Sequence, residues 1–187
     1  LRRALLTSIE APAIISIYIE GVKHEYMAVE GIIEDMTNIV LNLKGALLRK
    51  LPTEDDDDGR TAKIITKMVN ISAEEIESLG GQKSITLGDI IDNSDFEVVN
   101  PDLHLFTFTK PMTKRVEVKV AIGKGYVPAE RHGIENKIVD EIVIDSCFSP
   151  VRLVNYHIED TRIGQDTDYD RLVLEVNTDG RITPEEA

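Results

Sequence analysis

The stretch "KRVEVKVAI", residues 114–122, constrains the fold of this chain more than any other. Val116, Val118, Val120 and Ile122 alternate with Arg115, Glu117 and Lys119. Successive side chains of a strand point to opposite faces, so this period predicts a half-buried strand, apolar on one face and charged on the other. Such a strand needs sheet neighbours and a layer packed on its apolar side. "IISIYIE", 14–20, predicts a second one, with Ile15, Ile17 and Ile19 on one face and Ser16, Tyr18 and Glu20 on the other. Further strands are expected in "KIVDEIVID", in "SCFSPVRLVNYHIED" and in "RLVLEV", the last turning at Thr178-Asp179-Gly180.

Helices are fewer. Residues 31–44 place Ile32, Met36, Ile39, Val40 and Leu43 at helical spacing, which predicts an amphipathic helix ending near Lys44-Gly45. Ser72 followed by Ala-Glu-Glu predicts a capping box and one short helix, closed by "LGG" at 79–81. Strands dominate, so the class is α+β. "TEDDDDGR", 53–60, has no apolar residue and is expected to be an exposed, flexible loop.

Aromatics make up 5% of the chain and Trp is absent, so Ile, Val and Leu must fill the interior. No apolar run approaches the ~20 residues that span a bilayer, and no basic-then-apolar leader opens the chain. Cys147 is the single cysteine and has no partner for an internal disulfide, which fits a reducing cytoplasm. The net charge of −13 opposes a non-specific grip on nucleic acid.

Several stretches invite a chemical reading. "QDTDYDR", 165–171, sets Asp166, Asp168 and Asp170 at every second position, a spacing that can hold a divalent cation. A calcium loop starting at Asp166 needs Gly at its sixth position and Glu at its twelfth. Arg171 and Asn177 stand there instead, so the triplet reads as a solvated polar turn feeding a strand. "GKGYVP", 123–128, is too short between its glycines for a phosphate cradle and reads as a turn leaving a strand. His24, His104, His132 and His157 form no close pair, so a zinc site is not expected. Cys147, between Ser146 and Phe148, reads as a small buried apolar residue. No Gly-x-Ser-x-Gly elbow occurs, and no catalytic residue is expected.

In order along the chain, "LRRALLTSI", "GVKHEY", "EDMTNIVLNLK", "GKGYVPAE", "DSCFSPV", "VNYHIEDTRIGQDTDYDRLVLEV" and "TDGRITPEEA" resemble the N-terminal domain of the bacterial RNA polymerase alpha subunit family. The likeness runs over almost the whole chain and is weakest from Pro52 to Met112. It implies a two-lobe α+β domain. Residues 1–10 with 151–187 would form a discontinuous dimerisation lobe, and 11–150 a β-rich insert lobe. Two copies would dimerise and give the beta and beta-prime subunits a platform for assembly. The archaeal or eukaryotic assembly subunit is the related alternative, and the "GYVPA" and "TDYDRL" wording favours the bacterial form. An independent metal-dependent phosphotransfer enzyme on the aspartates is the other.

The resemblance carries roles onto particular residues. Arg3 and Leu6 would face beta; Lys44, Ile144 and Asp145 would face beta-prime. Arg3 and Leu6 lie one turn apart, pairing a planar cation with an apolar anchor, although Arg3 also reads as a plain solvated helix charge. Lys44 at a helix end also reads as a macrodipole partner. The protein would belong to a nucleotidyltransferase without contributing catalytic residues. No cofactor is expected in this chain, the magnesium of the family being held by beta-prime. Neither nucleic acid nor membrane is expected as a direct partner of this domain. The ends read as cuts. Family members begin about a strand and half a helix earlier, and a linker and C-terminal domain follow, so the 187 residues alone are expected to dimerise weakly. At the far end Thr183, Pro184 and Glu186 announce a helix with a capping box.

Overall fold

The computed structural model describes residues 1–51, 62–92, 95–133, 138–163 and 166–187, and of 162, 163 and 166–168 the backbone. The acidic stretch 53–60 lies outside the described residues. Helix α1 (Arg2–Thr7) leads into β1 (Glu10–Ile19), followed by α2 (Met36–Leu43), β2 (Leu48–Lys50) and β3 (Lys63–Ile71). Next come α3 (Ala73–Ser78), β4 (Lys83–Thr86), α4 (Leu87–Ile90), β5 (Phe96–Val98) and β6 (His104–Phe108). Then β7 (Met112–Lys124) turns into β8 (Tyr126–Val127), and a 3-10 turn occupies Ala129–Arg131. The chain closes with β9 (Ile142–Val143), β10 (Ser146–Cys147), β11 (Val151–Ile163) and β12 (Asp166–Thr178). The class is α+β, as the two periods predict.

The main sheet has the order β3-β7-β1-β9, and the remaining strands pair as β8 with β10, β11 with β12, β2 with β5 and β4 with β6. Its apolar face packs on α2, α4 and the smaller ribbons around Met36, Ile39, Leu43, Leu48, Phe106 and Phe108. The two phenylalanines meet edge to face, with ring centroids 5.6 Å apart.

The half-buried expectation for β7 fails at its centre. Val116 through Val120 are all buried, Glu117 and Lys119 among them. The polar face is covered rather than wet. Lys119 Nζ lies 2.8 Å from Glu141 Oε2, with side chains 3% and 1% exposed. The Ser16 hydroxyl donates to Glu141 Oε1, and the Ile138 amide donates to Oε2 at 2.9 Å. Burial alone would raise the Glu141 pKa, but bonds from Lys119, Ser16 and Ile138 hold it below the ordinary range. Glu117 pairs with Arg115 and accepts from the Thr66 hydroxyl at 3.3 Å. Alternation in sequence marked two different faces, but both are buried.

β1 departs from its predicted pattern too. Its register against β7 slips between Ile14 and Ser16, a bulge that leaves Ile15 as an extra residue. Ile14, Ile17 and Ile19 therefore join the main core, whereas Ile15 turns to a separate cluster with Ala13 and Phe148. Helix α2 starts at Met36, later than the spacing predicts, because the Asp35 carboxylate caps it by accepting from Asn38 N at 2.8 Å. Ile32 stays outside it and bridges to Phe108. The capping box at Ser72 and Glu75 forms as expected, with Gly80 and Gly81 at positive φ closing α3. So does the reciprocal pair of Thr183 and Glu186, their backbone amides bonded at 2.8 and 3.3 Å.

The β11–β12 hairpin carries a second, smaller cluster. Leu5 of α1 packs with Val151 and Val154, and Leu6, Ile9, Leu174, Val176 and Ile182 border them. Arg2 Nε donates to the Val154 carbonyl at 2.8 Å and pins α1 to the hairpin. Beyond that cover, Tyr156, Ile158 and Leu172 are exposed. Where the hairpin's end meets the main sheet, Arg181 is 2% exposed. Its guanidinium donates to the carbonyls of Pro12 (3.1 Å), Cys147 (3.1 Å) and Ser149 (2.9 Å), and to Asp179 Oδ2 at 2.8 Å.

Candidate interaction surfaces

The structure brings Lys44 and Asp145 together from 101 positions apart, with Lys44 Nζ 2.8 Å from Asp145 Oδ2. The sequence explains the meeting. α2 ends at Leu43, whose side chain is locked in the core, so Lys44 leaves the helix on its exposed side. Asp145 follows Ile144, which is 2% exposed in the main core and whose amide donates to the Ile15 carbonyl at 2.9 Å. Ile144 thus anchors the loop and offers a partner no side-chain surface of its own. Asp145 points outward, and its Oδ1 accepts from Ala129 N at 2.9 Å. The Tyr126 phenol lies near the same carboxylate and lowers its pKa a little further. The Lys44 ammonium and the Ala129 amide hold the Asp145 carboxyl well below its usual range, at about 2. Tyr126 shifts the other way, raised by lost solvation and by the Asp145 charge.

Read as a phosphate loop or as a turn, "GKGYVP" gives Tyr126 no role of its own. The turn reading of that stretch holds: Gly125 takes φ +65° between β7 and β8. Gly123 lets the Phe148 ring approach to 3.0 Å of where a Cβ would stand. The signal for Tyr126 was available, since an aromatic two residues before a proline, after a glycine turn, is held on an extended edge.

A second surface lies on α1 and the hairpin. Arg3 is exposed and, with Leu1, Arg2, Tyr156, Leu172 and Leu174, lines a groove of about 320 Å³. Leu6 is half-buried against the cluster beneath. Both arginines of "LRR" line the groove, but Arg2 is also bonded inward to β11.

The other candidates are scattered. Asp166, Asp168 and Asp170 belong to strand β12, not to a turn before it, because the β11–β12 ladder extends as far as Ile163 opposite Asp166. Asp170 is exposed opposite Asp160; the side chains of Asp166 and Asp168 lie outside the described residues. Among the described residues no group of three or more His, Cys, Asp or Glu is close enough to hold a metal ion. Cys147 is exposed, contrary to expectation, because Ser146 and Phe148 take the inward positions on either side. His24 and His157 are exposed. His132 meets Phe148 edge-on at 6.1 Å, its Nε2 buried without a partner, and burial lowers its pKa. His104 joins a polar relay, with Ser84 Oγ 2.7 Å from Nδ1 and Glu34 Oε1 2.7 Å from Nε2. Both Glu34 oxygens also accept from Thr107, at 2.7 and 3.1 Å, so the relay fastens the start of α2 to β6.

The chain is thus a strand-rich α+β domain with two exposed polar-and-apolar surfaces, one resting on Ile144 and the other on Leu5. Residues 17–149 match the RNA polymerase Rpb3/RpoA insert domain, well over half of the chain, and the chain belongs to that family. It is 59% identical over all 187 of its residues to the DNA-directed RNA polymerase subunit alpha of Protochlamydia amoebophila (strain UWE25), covering 50% of that protein. It is 41% identical, over the same 187 residues and again 50% of the relative, to the subunit of the same name from Geobacter metallireducens. The chain thus spans about half the length of the curated relatives it matches. No helix among the described residues is long and apolar enough to cross a membrane.

Proposed function

We propose that this chain is the amino-terminal part of a bacterial RNA polymerase alpha subunit and serves transcription as an assembly platform. Two copies associate, and the pair receives the beta and beta-prime subunits of the nucleotidyltransferase in the cytoplasm. The observation that carries the proposal is identity to alpha subunits running unbroken through the whole chain. Residues 1–10 with 151–187 act as the dimerisation lobe and 11–150 as the insert lobe. The separation of the Leu5–Val151–Val154 cluster from the main core supports this division, as does a family match confined to 17–149. The exposed Tyr156, Ile158 and Leu172 suit the hairpin to a second copy.

Within that platform, Arg3 and Leu6 receive beta, and Lys44 and Asp145 receive beta-prime, with Ile144 fixing their position. The groove at Arg3 and the hydrogen-bonded pair of Lys44 and Asp145 support these roles. The chain supplies neither a catalytic residue nor a metal ligand; magnesium belongs to beta-prime. Co-expression of the full-length subunit with beta and beta-prime tests the reading. Capture of both is expected from the wild type, loss of beta from Arg3→Ala, and loss of beta-prime from Lys44→Ala or Asp145→Ala. A subunit that folds but captures neither overturns it.

A further inference from the structure

With the lobes divided as proposed, the chain crosses between them twice, before Ala11 and after Pro150. Two crossing strands by themselves make a hinge. One side chain of the dimerisation lobe closes it. Arg181, 2% exposed, reaches past both crossings to the carbonyls of Pro12, Cys147 and Ser149, all on the insert-lobe side. Its Nε and Nη2 also donate to Asp179 Oδ2, at 3.0 and 2.8 Å, and the Asp179 side chain is 4% exposed. Every guanidinium N–H is thus taken, and the carboxylate fixes the direction in which the fork points.

The main chain of the same turn meets the insert lobe as well. Arg49 Nε of β2 donates to the Arg181 carbonyl at 3.0 Å. Gly180, at φ +98°, lies so close that an added Cβ would stand 3.2 Å from Val99. Beside these bonds the junction is open. A cleft of about 400 Å³ is lined by Glu10, Ile182 and Glu186 from one lobe and by Arg49, Lys50 and Glu97 from the other. Packing therefore leaves room there for the angle between the lobes to change, and the bonds from residue 181 take that freedom away.

We propose that Arg181 is a positioning residue, a clasp that sets the angle at which the insert lobe presents Lys44 and Asp145 to beta-prime. The inference rests on the two-lobe reading and on the assignment of Lys44 and Asp145 to that subunit. The beta surface at Arg3 and Leu6 lies within the lobe that carries Arg181, so it does not depend on the angle. Lysine cannot stand in for the arginine, because an ammonium lacks the planar fork that spans carbonyls at both crossings.

The test uses the full-length subunit co-expressed with beta and beta-prime. Arg181→Lys is expected to keep beta capture within about twofold and to lower beta-prime recovered per beta about tenfold, as when about a tenth of the chains hold the productive angle. Arg49→Ala removes the bond to the Arg181 carbonyl at a part-exposed position. It is expected to lower the same ratio about threefold, and it keeps the test valid should Arg181→Lys melt early. Spin labels at Glu77→Cys and Asp160→Cys, one on each lobe, on a Cys147→Ser background and diluted with unlabelled chain, read the angle directly. One narrow distance is expected with Arg181 and a broad or displaced one with Arg181→Lys. A normal ratio from Arg181→Lys and Arg49→Ala, with Lys44→Ala deficient, overturns this inference and leaves the assignment of Lys44 standing. An unchanged narrow distance in Arg181→Lys overturns the clasp directly. Equal loss of beta and beta-prime overturns the positioning role, since a general loss of structure would do the same. Normal capture by Lys44→Ala as well as by both arginine variants overturns the assignment and the inference together.

Discussion

The main sheet and the β11–β12 hairpin use the same alternating sequence to opposite ends. In β7 both faces are covered, and the charged residues that alternation would send to water are buried in bonded pairs. In the hairpin the apolar face is covered only where α1 reaches it, and Tyr156, Ile158 and Leu172 remain exposed. The first region closes on itself; the second leaves apolar area uncovered. Period two announces a strand in both cases but does not say whether the strand's second face meets protein or water.

Substitutions that treat the two regions alike can break this contrast. The largest effect is expected from Phe108→Ala, at the fully buried centre of the main core, with a loss of about 4 kcal/mol in urea unfolding. Glu141→Ala should cost about 3 kcal/mol, because it withdraws a carboxylate from a buried ammonium. Glu141→Ala with unchanged stability would mean that the covered polar face of β7 is held by packing alone. Leu5→Ala, in the small cluster on the hairpin, should cost about 2 kcal/mol, since that cavity borders solvent and can partly refill. Were Leu5→Ala as damaging as Phe108→Ala, the two regions would be one cooperative core.

Smaller still, Ile158→Thr with Leu172→Thr should change the chain's own stability by under about 0.5 kcal/mol while lowering self-association in sedimentation. A matching fall in stability would show these side chains already in use within the chain. The least effect is expected from mild acid. The Asp145 carboxyl titrates lower in the folded chain, at about 2, than its ordinary 3.8. Its contribution is therefore complete above about pH 4 and lost only as pH falls through 2. Carboxyl chemical shifts followed by NMR check this, and titration near the ordinary value would dissolve the tie to Lys44.

What the sequence made legible was local. The capping box at Ser72 and the glycine turn at Gly125 are set by neighbours a few positions away and formed as read; the reciprocal bonds at Thr183 and Glu186 formed too, but around a turn rather than a helix. The alpha-family likeness was also legible, because it rests on words in order rather than on geometry. Hidden features depended on distant strands. The bulge at Ile15 arises only against β7, and the burial of Lys119 requires Glu141, 22 positions on. Cys147 read as buried because the two inward residues beside it could not be told from it by type. The resemblance set Lys44 and Asp145 on one interface, but their ion pair across 101 positions was not legible. Tyr126, which lies near the same carboxylate, carried no such pointer.

Arg181 has a consequence measured in seconds. The carbonyl of Pro12 waits for a guanidinium made 169 positions later, an interval of about 10–30 s at ordinary rates of synthesis. Strand β1 cannot be laid down beside β7 until most of that time has passed, since Glu10 pairs with Lys124. Until Lys124 is made, the apolar residues of β1 have no sheet partner, and until Arg181 is made their start is not fastened. A nascent chain in that state is a ready substrate for chaperones. Slowing translation before Lys124 should lengthen the exposure, and slowing it well after Arg181 should not.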